Sequence, residues 1–376
     1  MSILTLHVQR RDYPRWLTDS MARLAGRVGW IVCIDPPPYD NPFPHQKMAC
    51  RLWVGGDDVE KAYIDRGAAG ASAYYERIRP DLDQRRYVEA FLGPNEPGVG
   101  SADARYRLTE FYVRLAGHYH ADGRKLAGPC WSVGWPGGTA DQERIPWVEC
   151  IHRDTREMLP LFEAVDYGCS HNYGKRADAA WTEMDAWTLR FRHVFDALRH
   201  AGKRVPPWLI TEGGLDIRGD KETSGWLGPD GPSEAQYADQ CVFAAQQVSR
   251  FPEVQCYAIF TALPTDWVSF TATESLWRRL EALIMAEAIT PPQPATPPAL
   301  SEAWLAEARK HKVRYNPDAA LGPTIAATGQ WPMANEWTDN GVTYQWGLDV
   351  ARLMWHLWRW TPAGGVTRVH SEAVTR

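Results

Sequence analysis

The chain has 376 residues, 44% hydrophobic and 23% charged, enough for a domain of about 250 residues with a large core plus an appendage. A net charge of −5, with no Lys/Arg-rich run, leaves no electrostatic footprint for a nucleic-acid partner. No stretch approaches the roughly 18 consecutive apolar residues of a membrane span, so no membrane partner is expected. The opening MSILTLHVQRRDY lacks the basic-then-apolar pattern of a secretion signal, which makes cytoplasmic residence, or release by lysis, the expectation.

In chain order, β-type runs fall at residues 3–9, 29–35, 48–55, 87–93, 125–131, 165–170, 208–211 and 254–261. Helical patterns at 101–119, 147–162, 179–200, 233–251 and 275–289 lie between or after them. In the clearest, 179–200, Met184, Trp187, Phe191, Val194, Phe195 and Leu198 form one apolar stripe at helical spacing. The connection PPPYDNPFPHQ between the second and third runs is Pro-rich and reads as a loop. Strand–helix alternation implies a parallel sheet, and with eight units closure is the commonest solution. The predicted class is therefore α/β, a (β/α)8 TIM barrel over residues 1–290.

Residues 291–299 contain PPQPATPP, too stiff and donor-poor for a helix or strand, and read as a linker. Beyond it, 300–376 is a Trp-rich extension with helical candidates at 301–311 and 341–360, hence expected to be small and mainly helical. Six of the chain's 19 Trp lie between 331 and 360. The extension suits a binding module, a lid packed on the barrel or an assembly surface, packing being the simplest. The seven Cys are spread out with no CxxC and read as reduced, structural thiols.

Two segments each place a carboxylate at the end of an apolar strand. One is Val88-Glu-Ala-Phe-Leu-Gly-Pro-Asn95-Glu96-Pro97 on the fourth, the other Trp208-Leu-Ile-Thr-Glu212-Gly-Gly on the seventh. In a barrel the C-terminal strand ends converge on one mouth, so the two carboxylates can face each other. By default a Glu at a strand end is merely solvated. A facing pair, however, is what glycosidic cleavage needs, one protonated to release the leaving sugar and one ionised to attack the anomeric carbon.

These segments resemble glycoside hydrolase clan A, which carries its acid/base on strand four and its nucleophile on strand seven. The resemblance rests on Asn95-Glu96-Pro97 and Ile210-Thr211-Glu212-Gly213, and extends to His171-Asn-Tyr173 after strand six and Arg51 on strand three. It implies Glu96 as acid/base, Glu212 as nucleophile and Asn95 on the sugar 2-hydroxyl. Tyr173 and Arg51 would hold Glu212, and His171 would contact the sugar. A strand-eight aromatic is also implied, either Phe260 or Trp267. Independently, Arg51 lies in an apolar run where an unpaired guanidinium is costly, so a partner is expected. Trp131, Trp135, Trp226 and Trp267 close or follow strands five, seven and eight. They are candidates to line a sugar cleft, though aromatics equally fill cores.

His118-Tyr-His120-Ala-Asp122 mimics metal-ligand spacing, but residues two apart on a helix point to different sides, so no metal site is expected there. GxSxG, the phosphate-binding GxxxxGK[ST] and a GxGxxG after the first strand are absent from the sequence. The expectation is a retaining hydrolase of a β-linked oligo- or polysaccharide that needs no cofactor. Alternatives are a peptidoglycan lysin, viral origin included, and a barrel that binds carbohydrate without turnover.

Overall fold

The computed structural model describes residues 2–9, 13–138, 146–175, 184, 186–263 and 266–286, together with strands at 331–339, 342–349, 354–361 and 365–373. The chain divides into two compact units, Met1–Pro291 and Pro292–Arg376.

The first unit is a closed barrel of eight parallel strands: β1 Leu4–Val8, β2 Trp30–Ile34, β3 Lys47–Arg51, β4 Ala90–Leu92, β5 Leu126–Trp131, β6 Tyr167–Gly174, β7 Trp208–Leu215 and β8 Val254–Ala262. Pairing of Leu4 with Tyr257 closes β8 onto β1. The helices are α1 Arg15–Arg23, α2 Asp57–Ile64, α3 Gly67–Asp83, α4 Ala102–Ala121, α5 Trp147–Glu157, α6 Leu159–Ala164, α7 Phe191–His200, α8 Glu234–Val248 and α9 Glu274–Met285. No helix among the described residues is long and apolar enough to cross a membrane.

Side-chain parity along the strands builds two cores. Trp30, Val32, Ala49, Leu209, Cys256 and Ala258 fill the barrel, while Leu4, Leu6, Ile31, Met48, Trp208 and Tyr257 pack between barrel and helices. Local signals start the helices. The Ser101 hydroxyl accepts from Ala104 N at 3.1 Å and the Thr273 hydroxyl from Leu276 N at 3.1 Å, while Ser233 and Gln236 form a reciprocal capping box. As the Pro-rich sequence suggests, no helix joins β2 to β3. Carbonyls of Pro36 and Pro37 in that loop accept instead from Arg85 and Tyr87.

The structure departs from the sequence reading at several points. Helices α1, α2 and α3 are additional to it, and β3 and β4 end short of the expected 55 and 93. The run 147–162 is two helices, because Pro160 opens a new one. Within 179–200, the residues before 191 that are described include turn at 187–190, so the long stripe is interrupted. Strands β6 and β7 run farther than expected, to Gly174 and Leu215. The last departure is in the second unit. Residues 341–360, expected to be helical, contain strands β10 Val342–Asp349 and β11 Met354–Thr361. Together with β9 Trp331–Asp339 and β12 Gly365–Ala373 they form an antiparallel sheet in the order β12-β11-β10-β9. Val342, Tyr344, Trp346 and Leu348 alternate with Thr343, Gln345, Gly347 and Asp349, a period of two that suits a strand and not a helix. The helical candidate at 301–311 lies outside the described residues.

Candidate active site

Strict alternation would turn Glu212 away from the barrel interior, since Leu209 and Thr211 face inward. The register of β7 shifts instead. Ser170 pairs with Ile210 and His171 with Glu212, leaving Thr211 as the extra residue. Such a bulge re-aims one side chain and here turns Glu212 into the mouth of the barrel. On β6 the parity is unbroken, so Tyr167, Cys169, His171 and Tyr173 share the inner face. Glu96 lies past the end of β4 at φ 43°, left-handed backbone that costs a non-glycine residue about 1–2 kcal/mol. Its amide is tied to the Cys130 carbonyl at 2.9 Å, which fixes the turn. Strain of this kind concentrates at functional positions.

Glu96, His171 and Glu212 meet. One donor atom from each lies within 4.8 Å of the other two. His171 Nδ1 is 2.9 Å from Glu96 Oε1 and 3.4 Å from Glu212 Oε2, and the Tyr173 hydroxyl donates to Glu212 Oε2 at 2.8 Å. The Glu212 side chain is 12% exposed and that of Glu96 38% exposed, so water reaches Glu96 more readily.

Burial disfavours the His171 cation, but Glu212 and Glu96 outweigh it and push the imidazole up to about 9. Burial also raises Glu96, yet the hydrogen bond and charge of His171, with Arg51 behind them, leave it below the ordinary carboxylate value. Glu212 is raised, by burial first and by the neighbouring Glu96, against the pull of His171, Arg51 and Tyr173. The site thus holds a proton on the hydrogen bond between His171 and Glu96. The same three donors are the ones a divalent cation would use. Ligand atoms around tetrahedral zinc sit roughly 3.4 Å apart, so His171 and Glu96, now 2.9 Å apart, would have to separate and give up their hydrogen bond.

The remaining expected residues divide. Arg51 faces the mouth and its charge acts on both Glu96 and Glu212, but it makes no ion pair or hydrogen bond to Glu212. Asn95 gives its backbone N–H to Glu60 Oε2 at 2.5 Å, and its side-chain amide reaches Asp57 on α2 at 3.4 Å. Trp267 is half-buried in an aromatic cluster with Tyr173, Phe260 and Phe270, its ring 5.7 Å from that of Phe260. Both candidates for the strand-eight aromatic therefore adjoin Tyr173.

Trp131 and Trp226 do not line the mouth. Trp131 is fully buried against Phe162, outside the barrel. A register shift between Ala127 and Cys130 inverts the parity of β5, so Cys130 points inward and Trp131 outward. Trp226 stacks on Tyr237 at 5.2 Å and donates to the Thr271 carbonyl, which makes it a packing residue. His118, His120 and Asp122 do not converge on a common point: His118 stacks on Tyr75 and meets Ser72, His120 meets Asp166, and Asp122 accepts from Tyr75 and Arg124. All seven Cys are buried and none is in a disulfide.

Sequence reasoning missed three residues beside the site. His7 on β1 is buried, stacks on Phe260 at 5.1 Å, and is held neutral by burial and by the charges of Arg51 and His171. Glu60 on α2 is buried behind Asn95. Trp53, 55% exposed, lies with its ring 5.7 Å from the Arg51 guanidinium carbon. The parity of β1 would have marked His7, a polar residue at an inward position two after Thr5. Nothing in the α2 sequence marks Glu60.

No family model matches the chain, and no curated protein does. Among solved structures, it is similar to an endo-laminarinase from Formosa Hel1_33_131, at 15% identity and a TM-score of 0.44, covering 70% of this chain and 79% of that one. It is also similar to a β-glucuronidase from Ruminococcus gnavus, at 13% identity and a TM-score of 0.44, covering 77% of this chain and 50% of that one. The chain thus spans about half the length of the β-glucuronidase. At these scores the likenesses carry no argument about chemistry.

Proposed function

We propose that this chain is a retaining glycoside hydrolase of a β-linked glycan, with Glu212 as nucleophile and Glu96 as acid/base. The observation that carries the reading is the approach of the two carboxylates to within 4.8 Å, oxygen to oxygen, at the barrel mouth. Retaining pairs sit about 5–5.5 Å apart, whereas inverting pairs leave about 6.5–9.5 Å for a water.

Exposure and hydrogen bonding favour this assignment of roles. A nucleophile must be held still and ionised, and Glu212 is enclosed with the Tyr173 hydroxyl donating to it. An acid/base must meet the leaving group and then water, and Glu96 is the more exposed partner. In the first step Glu212 attacks the anomeric carbon, the glycosidic C–O bond breaks, and the departing oxygen takes the proton of Glu96. In the second, Glu96 removes a proton from water, which attacks the same carbon and frees Glu212. His171 supplies the proton that Glu96, held below the ordinary carboxylate value, would not keep by itself. The 2.9 Å hydrogen bond is the route between them.

One observation favours exchanged roles, in that proton affinity runs higher at Glu212 than at Glu96. That order arises because the His171 hydrogen bond and charge fall chiefly on Glu96, whereas burial and the charge of Glu96 act against Glu212. Hydrolysis of a panel of aryl β-glycosides and of β-glucans, mannan, xylan, chitin and peptidoglycan tests the activity. Turnover of at least one, lost about 1,000-fold or more in both Glu96→Gln and Glu212→Gln, is the expected result. Binding without turnover across the panel would leave a non-catalytic carbohydrate barrel.

A further inference from the structure

Arg51 is 94% buried on the strength of its 6% exposure, yet among the described residues its Nε and Nη1 have no hydrogen-bond partner. Its charge is felt by Glu60, Glu96 and Glu212, none of which pairs with it directly. A buried guanidinium without a hydrogen-bonded partner costs several kcal/mol, which the Trp53 ring, 5.7 Å from its carbon, offsets only in part. Beside it stand two more orphans. Glu60 Oε1 is buried with no donor, although Glu60 Oε2 accepts from Asn95 N, and Arg51 is the strongest charge acting on Glu60. His7 Nδ1 is buried and unpartnered as well. The unmet groups share Arg51 as a neighbour: its charge acts on both Glu60 and His7, and its guanidinium carbon lies 5.7 Å from the exposed ring of Trp53.

We infer that Arg51, Glu60 and His7 form a subsite for the hydroxyls of an uncharged pyranose, with Trp53 as the apolar wall against a sugar face. The inference rests on the glycosidase reading and adds the substrate class to it. A hydroxyl accepts from the guanidinium and donates to the carboxylate at once, so one group completes both orphans. A carboxylate or sulfate substituent would satisfy Arg51 but has no hydrogen to give Glu60. It would also add negative charge to a mouth that already holds Glu60, Glu96 and Glu212. Burial raises Glu60 and the Arg51 charge opposes that rise, favouring the ionised form that accepts the hydroxyl's hydrogen. The unpaired state of the free protein is then the cost of a preorganised sugar site.

The test reads binding, not turnover, on the full chain. Uncleavable S-linked β-disaccharides of glucose, galactose, mannose and xylose are titrated by calorimetry, alongside the uronic-acid counterparts of the first two. At least one neutral disaccharide should bind more tightly than its uronic counterpart. Arg51→Met and the isosteric Glu60→Gln should each weaken that binding about tenfold or more, and the double variant should lose little beyond the worse single one, because they share a hydroxyl. Arg51→Met should melt no lower than the intact protein, since it removes an unpaired buried charge. A merely structural Arg51 would show a fall. Tighter binding of the uronides, lost in Arg51→Met alone, would overturn the neutral-sugar assignment. Unchanged affinity in both variants would overturn the subsite and leave the glycosidase reading standing. Failure of every saccharide to bind would overturn both.

Discussion

The hydrogen bond between His171 and Glu96 determines the pH behaviour of the site. The His171 imidazole, ordinarily near 6.5, is held up to about 9, so its protonated form persists through neutral pH. Because the folded value is the higher one, the stabilisation it brings is complete below about 6.5 and disappears as pH rises through about 9. Activity should follow the same proton, with the basic limb of kcat/KM near pH 9 and the acidic limb, set by the ionisation of Glu212, above the ordinary carboxylate value. In His171→Asn the proton has only Glu96 to reside on, and the basic limb should fall by a pH unit or more. A limb unmoved at about 9 would remove His171 from the proton inventory. Among residues, Glu96, Glu212, His171 and Tyr173 were legible because each ends or follows an apolar strand, where barrel geometry gathers side chains. Trp131 was misread because the β5 register shift that turns it outward, at Gly128-Pro129, breaks the alternation, a signal that the strand assignment passed over. Glu60 was not found because a single polar residue in a helix carries no spacing signal, whereas His7 was overlooked although the alternation of β1 places it on the inner face with Thr5.

At the level of elements, strand β7 is the part on which the site depends most. Gly213 follows Glu212 immediately, and a Cβ there would meet the Tyr257 ring at 2.6 Å. Tyr257 is fully buried on β8 and its hydroxyl accepts from Gly214 N at 3.1 Å, so it cannot move aside. Gly213→Ala should therefore destabilise the fold by about 1–3 kcal/mol and, by prising β7 from β8, lower kcat at least about tenfold. Gly117→Ala in α4 is the matched control. Its Cβ meets nothing within 4 Å, and the change should stabilise by roughly 0.5–1 kcal/mol without altering activity. Thermal melts and steady-state rates on both variants decide the matter. The eight strands could be located from the sequence because buried parallel strands read as short apolar runs bounded by turns. Their ends could not, because β6 and β7 continue through polar site residues that break the run. The β9–β12 sheet was missed for a different reason. Trp-rich segments satisfy helical spacing by abundance alone, and that masked both the alternation in β10 and the Asn340-Gly341 dipeptide between the paired residues Asp339 and Val342, a strong hairpin signal.

On the scale of the whole molecule, the division after Pro291 puts every site residue discussed here in the first unit. We expect residues 1–291 to fold alone and to cleave soluble substrate at a rate within about threefold of the full chain. Circular dichroism and initial rates on the truncated protein check this. A collapsed fold would make the Trp-rich sheet part of the barrel's stability. Loss confined to insoluble glycan would assign that sheet to targeting.

The central claim is the division of labour between Glu96 and Glu212, and the stereochemistry of azide rescue tests it most directly. With an aryl β-glycoside that leaves readily, Glu96→Ala should still form the glycosyl-enzyme on Glu212. Azide, which needs no general base, should then release a β-glycosyl azide of retained configuration, read by proton NMR at the anomeric centre. In Glu212→Ala, azide can only stand in for the missing nucleophile, so any product should be the inverted α-azide. Retained product from Glu212→Ala and inverted product from Glu96→Ala would contradict the account and exchange the two roles.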